Sequence, residues 1–146
     1  MTDSPKIAKE MIKCFERGNK TLLCGNGGSA SQANHFAAEL VNKYQNYRHP
    51  VPAISLCSDM AVITSIANDS SYEQIFSRQI AALGKRNDIL ITLSTSGKSK
   101  NVLEAIEVAN YFGLKVISFP TNKELKLQTP QTQEIHLQMI HEISKE

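Results

Sequence analysis

Short, continuously apolar runs alternate along this chain with stretches of helical spacing, and that alternation restricts the fold more than any other feature. Thr21-Leu22-Leu23-Cys24, closed by Gly25, is apolar on successive residues, the pattern of a strand covered on both faces. Pro52–Cys57, Asp88–Leu93 and Leu114–Phe119 repeat it. Between these runs Ala33, Phe36, Ala37 and Leu40 predict a helix over 31–44. Val62, Ile63 and Ile66 predict another, capped by Ser58 or Asp59. Ile75, Phe76 and Ile80 predict one over Tyr72–Leu83, and Val102, Ile106 and Ala109 one over about 100–112, ended by Gly113. Ile7, Met11, Cys14 and Phe15 place an N-terminal helix at about 5–17, with Ser4 as N-cap, Pro5 at the first helical position and Gly18 at its end. Ile135, Met139, Ile140 and Ile143 place a C-terminal helix at about 131–144. Strands joined through helices imply right-handed βαβ units. The expected fold is therefore α/β, a three-layer sandwich with a mostly parallel central sheet flanked by helices. Pro120–Gln133 is polar and proline-punctuated and reads as a loop. No linker divides the chain, so 1–146 is expected to be one domain.

Composition excludes several classes. Sixteen Lys and Arg against 14 Asp and Glu leave a charge of +2, too even for a strongly basic nucleic-acid binder. With 41% hydrophobic and 21% charged residues the chain reads as an ordinary globular domain. It has no apolar run of the roughly 18 residues that a membrane span needs. Met1–Lys6 is polar, unlike a signal peptide. Cys14, Cys24 and Cys57 are odd in number and show no CxxC pairing, which argues against a disulfide framework and for a reducing, cytoplasmic setting. Neither a nucleic acid nor a membrane is expected as a partner.

In an open α/β sheet, ligands sit at the carboxyl ends of the strands, and the two most unusual loops fall there. Gly25-Asn26-Gly27-Gly28-Ser29-Ala30 joins a strand to a helix, and its glycines let backbone amides approach a ligand. Ser94-Thr95-Ser96-Gly97-Lys98-Ser99 does the same with four hydroxyls, a set able to wrap a phosphate. Singly, one reads equally as a tight turn and the other as a helix cap; together after parallel strands they point to an anionic ligand. Gly25-x-Gly27-x-x-Ala30 matches the dinucleotide fingerprint in form, but the acidic residue about 20 positions on is missing, since Asp59 lies later. Gly97-Lys98-Ser99 resembles the end of a P-loop, but Leu93 stands where its first glycine belongs.

His35 and Glu39 are spaced i, i+4 and project from one helix face. Gln133 and His141, eight residues apart on the final helix, share roughly one side, and His136 points elsewhere. Alone, His35–Glu39 reads as a solvated ion pair and His141 as a surface histidine. Together the two helices offer two imidazoles, a carboxylate and an amide, a reasonable zinc environment apart from the uncommon glutamine. Spacing does not say whether the helices meet.

Several motifs in order carry a family resemblance. Cys24–Ala30, His35-Phe36-Ala37-Ala38-Glu39-Leu40, Ile66-Ala67-Asn68-Asp69, Ile75–Gln79, Leu93–Ser99 and Gln133-Glu134-Ile135-His136 resemble the phosphoheptose isomerases of the sugar-isomerase (SIS) superfamily, over most of the chain from Gly18 to His141. The resemblance implies a SIS domain of flavodoxin-like type. It implies isomerisation of sedoheptulose 7-phosphate to D-glycero-D-manno-heptose 7-phosphate, on the way to ADP-heptose for lipopolysaccharide. It assigns Glu39 as general base and His141 as general acid. Ser94, Thr95, Ser96 and Ser99 would hold the phosphate. Asn26, Gly27, Gly28, Ser29, Asn68, Asp69 and Gln133 would contact the substrate together with Glu39. One zinc per subunit would sit on His35, Glu39, Gln133 and His141. The chains would form a homotetramer with active sites at subunit junctions. Related scaffolds that bind the initiator DnaA keep the fold without the catalytic pair, so the presence of both Glu39 and His141 favours an enzyme. Relatives also have a longer N-terminal helical region and a further strand in the gap that only Pro120–Thr132 spans here.

Overall fold

The computed structural model describes residues 3–146. Seven helices and four strands follow one another as α1 (Ser4–Glu16), β1 (Thr21–Gly25), α2 (Gly28–Val41), β2 (Ala53–Ser55), α3 (Met60–Asp69), a 3-10 turn (Tyr72–Gln74), α4 (Ser77–Leu83), β3 (Ile89–Leu93), α5 (Lys100–Tyr111), β4 (Lys115–Ser118), α6 (Asn122–Leu125) and α7 (Thr129–Ser144). The strands form one sheet in the order β2-β1-β3-β4, and every pairing is parallel.

Side chains alternate across the sheet and so define two cores. Leu23, Ile89, Ile91 and Leu93 pack with Ile7 and Met11 of α1, Phe36 and Leu40 of α2, and Met139, Ile140 and Ile143 of α7. Leu22, Cys24 and Leu90 pack on the other face with Ile75, Phe76, Ile80 and, from α5, Val102, Ala105 and Ala109. Ile63 and Ile66 of α3 rest against this second core. Strands β1 and β3 are buried along their whole length, which explains why their sequences are continuously apolar rather than alternating. The three-layer α/β expectation is met.

Local departures have local causes. Asp3, not Ser4, caps α1, because its carbonyl accepts from the amides of Lys6 and Ile7 and leaves Ser4 inside the helix. Helix α2 starts at Gly28 because Gly27 turns the chain at a positive φ of 57°. It stops at Val41, where Arg48 donates to the carbonyls of Glu39 and Leu40. Asp59 caps α3, accepting from the amide of Val62 at 3.1 Å. The helix expected over 72–83 is broken in two: Tyr72–Gln74 is held by i+3 bonds while Ile75 and Phe76 dive into the core. The expected loop over 120–133 is also partly helical. Thr121 and Glu124 form a capping box around α6, a Thr-x-x-Glu signature visible in the sequence. Lys126 ends α6 in the left-handed region, and α7 begins at Thr129. No strand lies in 120–132 among the described residues, and β4 is a sheet edge whose outer residues Lys115 and Ser118 are exposed.

The lower end of the sheet is pinned by Asp88, whose carboxylate is 1% exposed. It pairs with Lys20 and accepts from Asn19 at 2.9 Å and from the backbone amides of Lys20 and Lys85. Burial pushes its pKa up, but the hydrogen bonds from Lys20, Asn19 and Lys85 outweigh this and hold it below the ordinary value. A carboxylate depressed in this way stabilises the fold above its unfolded pKa of about 3.9, and the contribution is lost as pH falls through the lower folded value. Asp88→Asn is therefore expected to cost about 2–3 kcal/mol at pH 7. Urea titrations at pH 7 and pH 3 should show the gap to the wild type shrinking in acid; a constant gap would mean that the charge is not what matters.

Candidate active site

One turn of α2 separates His35 from Glu39 and brings both onto the face that α7 covers. His35 Nε2 lies 2.7 Å from Glu39 Oε1, and His141 Nε2 of α7 approaches the same oxygen to 3.6 Å. The two imidazole rings stand 5.5 Å apart. Tyr44, in the loop after α2, stacks flat on His141 with centroids 4.9 Å apart. Glu39 is 12% exposed, and its second oxygen, Oε2, is buried with no partner among the described residues. A buried carboxylate oxygen without a donor is costly, which leaves Oε2 able to take a further ligand or proton.

One candidate is a metal. His35, Glu39 and His141 each offer a ligand atom, all within 4.8 Å of one another. Two imidazoles and a carboxylate with one free oxygen suit a borderline-soft divalent cation. Gln133 lies two turns earlier on α7, with its backbone carbonyl accepting from Gln32 Nε2 at 2.7 Å. Its side chain sits over Gly28, so close that a Cβ added at Gly28 would stand 2.5 Å from Gln133 Nε2. Helices α2 and α7 therefore meet within a single chain, which spacing could not tell.

The two strand-end loops lie side by side, because β1 and β3 are paired from Thr21↔Ile89 to Gly25↔Leu93. In the second loop, the hydroxyls of Ser94 and Ser96 accept from the amides of Gly97 and Lys98, which curls the backbone around a concave turn. A cleft of about 770 Å³ beside it is lined by Ser96, Gly97, Lys98 and residues 121–124. The start of α6 and the turn before it support this loop: Asn122, the first residue of α6, donates its N–H to Thr95 O at 2.7 Å. The turn is tied in its own right to α7 by His136, which is fully buried and donates from Nε2 to Pro120 O at 2.7 Å. Burial holds His136 below the ordinary imidazole range despite that hydrogen bond. It serves as a fastener.

Other residues take different places. Ser29 is buried in the first turn of α2. Asn68 donates to Asp69 at 2.9 Å at the exposed end of α3, in the layer opposite Glu39 and His141. Asn26 is bonded to Asn101 and Tyr72, two residues that the sequence reading did not single out. Asn101 follows Ser99 by two positions in an amphipathic helix, and a polar residue at a core-facing position was the available signal. Burial raises the pKa of all three thiols, Cys14, Cys24 and Cys57, so none is poised as a nucleophile.

These features match a known family. The SIS domain matches residues 5–120. The phosphoheptose isomerase of Thermodesulfovibrio yellowstonii is 46% identical over 149 aligned positions, spanning 93% of this chain and 74% of that protein. That of Helicobacter pylori strain Shi470 is 46% identical over 144, spanning 90% and 75%. The first alignment is longer than the 146 residues of this chain, so that relative carries residues that this one lacks. Among solved structures, the phosphoheptose isomerase of Neisseria gonorrhoeae superposes with a TM-score of 0.87 at 34% identity, covering 97% of this chain and 83% of that one. The phosphoheptose isomerase of Francisella tularensis gives 0.87 at 36%, covering 98% and 85%. The parallel sheet, the paired loops at its carboxyl edge and the relatives' sequences agree: the chain belongs to the phosphoheptose isomerase family of SIS-domain proteins.

Proposed function

We propose that this protein is a ketose–aldose isomerase that converts sedoheptulose 7-phosphate to D-glycero-D-manno-heptose 7-phosphate, feeding ADP-heptose and lipopolysaccharide synthesis in the cytoplasm. The observation that carries the reading is the Glu39 carboxylate, paired at one oxygen with two imidazoles and free at the other. A non-catalytic scaffold, such as one that binds DnaA, has no use for an assembled base and acid.

The reaction moves a proton between neighbouring carbons through an enediol. Glu39 takes the proton from C1 of the ketose through Oε2, while its Oε1 stays bound by His35. His141 gives a proton to the C2 oxygen as the enediol forms and later recovers one from the C1 hydroxyl. Glu39 then returns its proton to C2, which leaves the aldehyde at C1. Ser94, Thr95, Ser96 and Ser99 hold the phosphate with the amides of their loop. Asn26, Gly27, Gly28 and Gln133 would face the sugar, with the buried Ser29 shaping the turn beneath it; Asn68 and Asp69, exposed in the layer opposite Glu39, would complete the substrate contacts only across a subunit junction. Zinc, one per subunit, would be held by His35, Glu39 and His141 and would polarise the substrate's oxygens; Gln133, whose side chain lies against Gly28, would join that set only across a subunit junction.

We read 1–146 as one SIS domain and its assembly as a homotetramer with active sites at subunit junctions. Glu39 lies 11 residues after Gly28 along α2, about 16 Å of helix rise. Loops and acid–base pair so far apart fit a site shared between copies. Among the described residues, no helix is long and apolar enough to cross a membrane. The test is direct: purified protein with sedoheptulose 7-phosphate should yield the aldose, followed by NMR of the anomeric protons. Failure to turn over this substrate would remove the assignment.

A further inference from the structure

The Gly-rich loop owes its orientation to two residues outside it. Asn26 Oδ1 accepts from Asn101 Nδ2 and from the Tyr72 hydroxyl, each at 2.9 Å. Asn26 Nδ2 donates back to Asn101 Oδ1 at 2.8 Å. Asn101 is 3% exposed, so the two bonds between Asn26 and Asn101 are largely shielded from water. Two donors use both lone pairs of the Asn26 oxygen, and one of its two amide protons is spent on Asn101. A single N–H remains, and three bonds prevent the amide from flipping.

The clasp also links the two ligand loops. Asn26 follows the last residue of β1, and Asn101 lies in the first turn of α5, directly after the hydroxyl-rich loop. Tyr72 reaches Asn26 from the 3-10 turn, which is fastened to the same helix by Glu73–Lys100 at 3.2 Å and whose neighbour Ser77 bonds Glu104 at 2.8 Å. Tyr72 and Asn101 therefore arrive at Asn26 as one unit.

We infer that Asn101 and Tyr72 are positioning residues that lock the Asn26 carboxamide as a donor, so that the Gly-rich loop recognises an acceptor oxygen of the sugar at a fixed distance from the phosphate seat. The inference rests on the proposed isomerase reading for the identity of that sugar; the clasp itself does not.

The experiment uses the intact protein and the variants Asn101→Asp, Asn101→Leu, Tyr72→Phe and, as a control, Ser96→Ala. Asn101→Asp keeps the shape and removes the donor to Asn26. Tyr72→Phe alters a half-exposed residue and leaves folding intact. With sedoheptulose 7-phosphate, kcat should fall about tenfold or more in Asn101→Asp, because a small misplacement costs orientation. It should fall roughly two- to fivefold in Tyr72→Phe, the weight of one hydrogen bond. Inhibition by inorganic phosphate should stay unchanged in both and weaken in Ser96→Ala. Unchanged kcat in Asn101→Asp, or phosphate inhibition weakening in step with kcat, would overturn the positioning role. A readout independent of activity is the NMR hydrogen exchange of the Asn26 side chain. One Nδ2 proton should be protected in the wild type and lose that protection in Asn101→Leu, which removes the accepting oxygen; two freely exchanging protons in the wild type would overturn the clasp. If the wild type turns over no sugar while the Asn26 proton stays protected, the isomerase reading fails and the clasp stands.

Discussion

Glu39→Gln is expected to lower kcat/KM for sedoheptulose 7-phosphate roughly 100- to 10,000-fold, the usual weight of a positioned acid–base group. Glutamine keeps the length and the oxygen that could accept from His35, but its amide cannot take a proton from carbon. The fold should tolerate the change. The carboxylate oxygen Oε2 is buried without a donor, and replacing it with an NH2 group removes a desolvated charge rather than a satisfied one. The thermal midpoint should therefore hold or rise while turnover collapses. Substrate binding through the hydroxyl-rich loop should persist, so inorganic phosphate should inhibit residual turnover as in the wild type. Undiminished turnover in a folded Glu39→Gln variant would take this residue out of the mechanism.

Gly25→Ala should disable the protein from a position that touches no reacting atom. A Cβ at residue 25 would stand 2.7 Å from the carbonyl oxygen of Leu93 and 2.8 Å from Cβ of Ser29. Neither neighbour can yield cheaply. Leu93 is the β3 residue paired with Gly25, and Ser29 lies in the first turn of α2. Overpacking of this kind costs about 1–3 kcal/mol, read as a lower midpoint in urea or heat. Activity should suffer more than stability. Asn26 and Ser94, which begin the two loops, directly follow Gly25 and Leu93, so separating the strands moves both loops apart, and a displacement near 1 Å can cost about 100-fold in rate. Wild-type kinetics in Gly25→Ala would show that the close approach of β1 to β3 does not set the site.

The difference between these two positions shows what could be read in advance. Glu39 stands out in the sequence because His35 lies one helical turn before it, a relation fixed by backbone geometry. Gly25 reads only as a strand terminator, because its contacts with Leu93 and Ser29 depend on how the sheet and α2 pack. The same division holds for the helices. Capping and periodicity located α1, α3, α5 and α7 to within a few residues. The segment 72–83 appeared as one helix because its apolar spacing is helical, although burying Ile75 and Phe76 breaks it. The Thr121–Glu124 box is a local signature, but the prolines and polar residues around it carry no apolar helical spacing, so the segment reads as loop.

The amino-acid order by itself determined the parallel three-layer fold, the two loops at the carboxyl edge of its sheet and the His35–Glu39 pair, since each follows from continuous apolar runs, helical spacing or glycine- and hydroxyl-rich turns read locally along the backbone. Only the tertiary structure decided that His141 meets Glu39, that Asn101 and Tyr72 clasp Asn26, and that Asn68 and Asp69 lie in the opposite layer. Those relations join segments dozens of residues apart, and they are set by which face of the sheet each crossover helix covers and by how the helices pack there, neither of which is written in any local pattern.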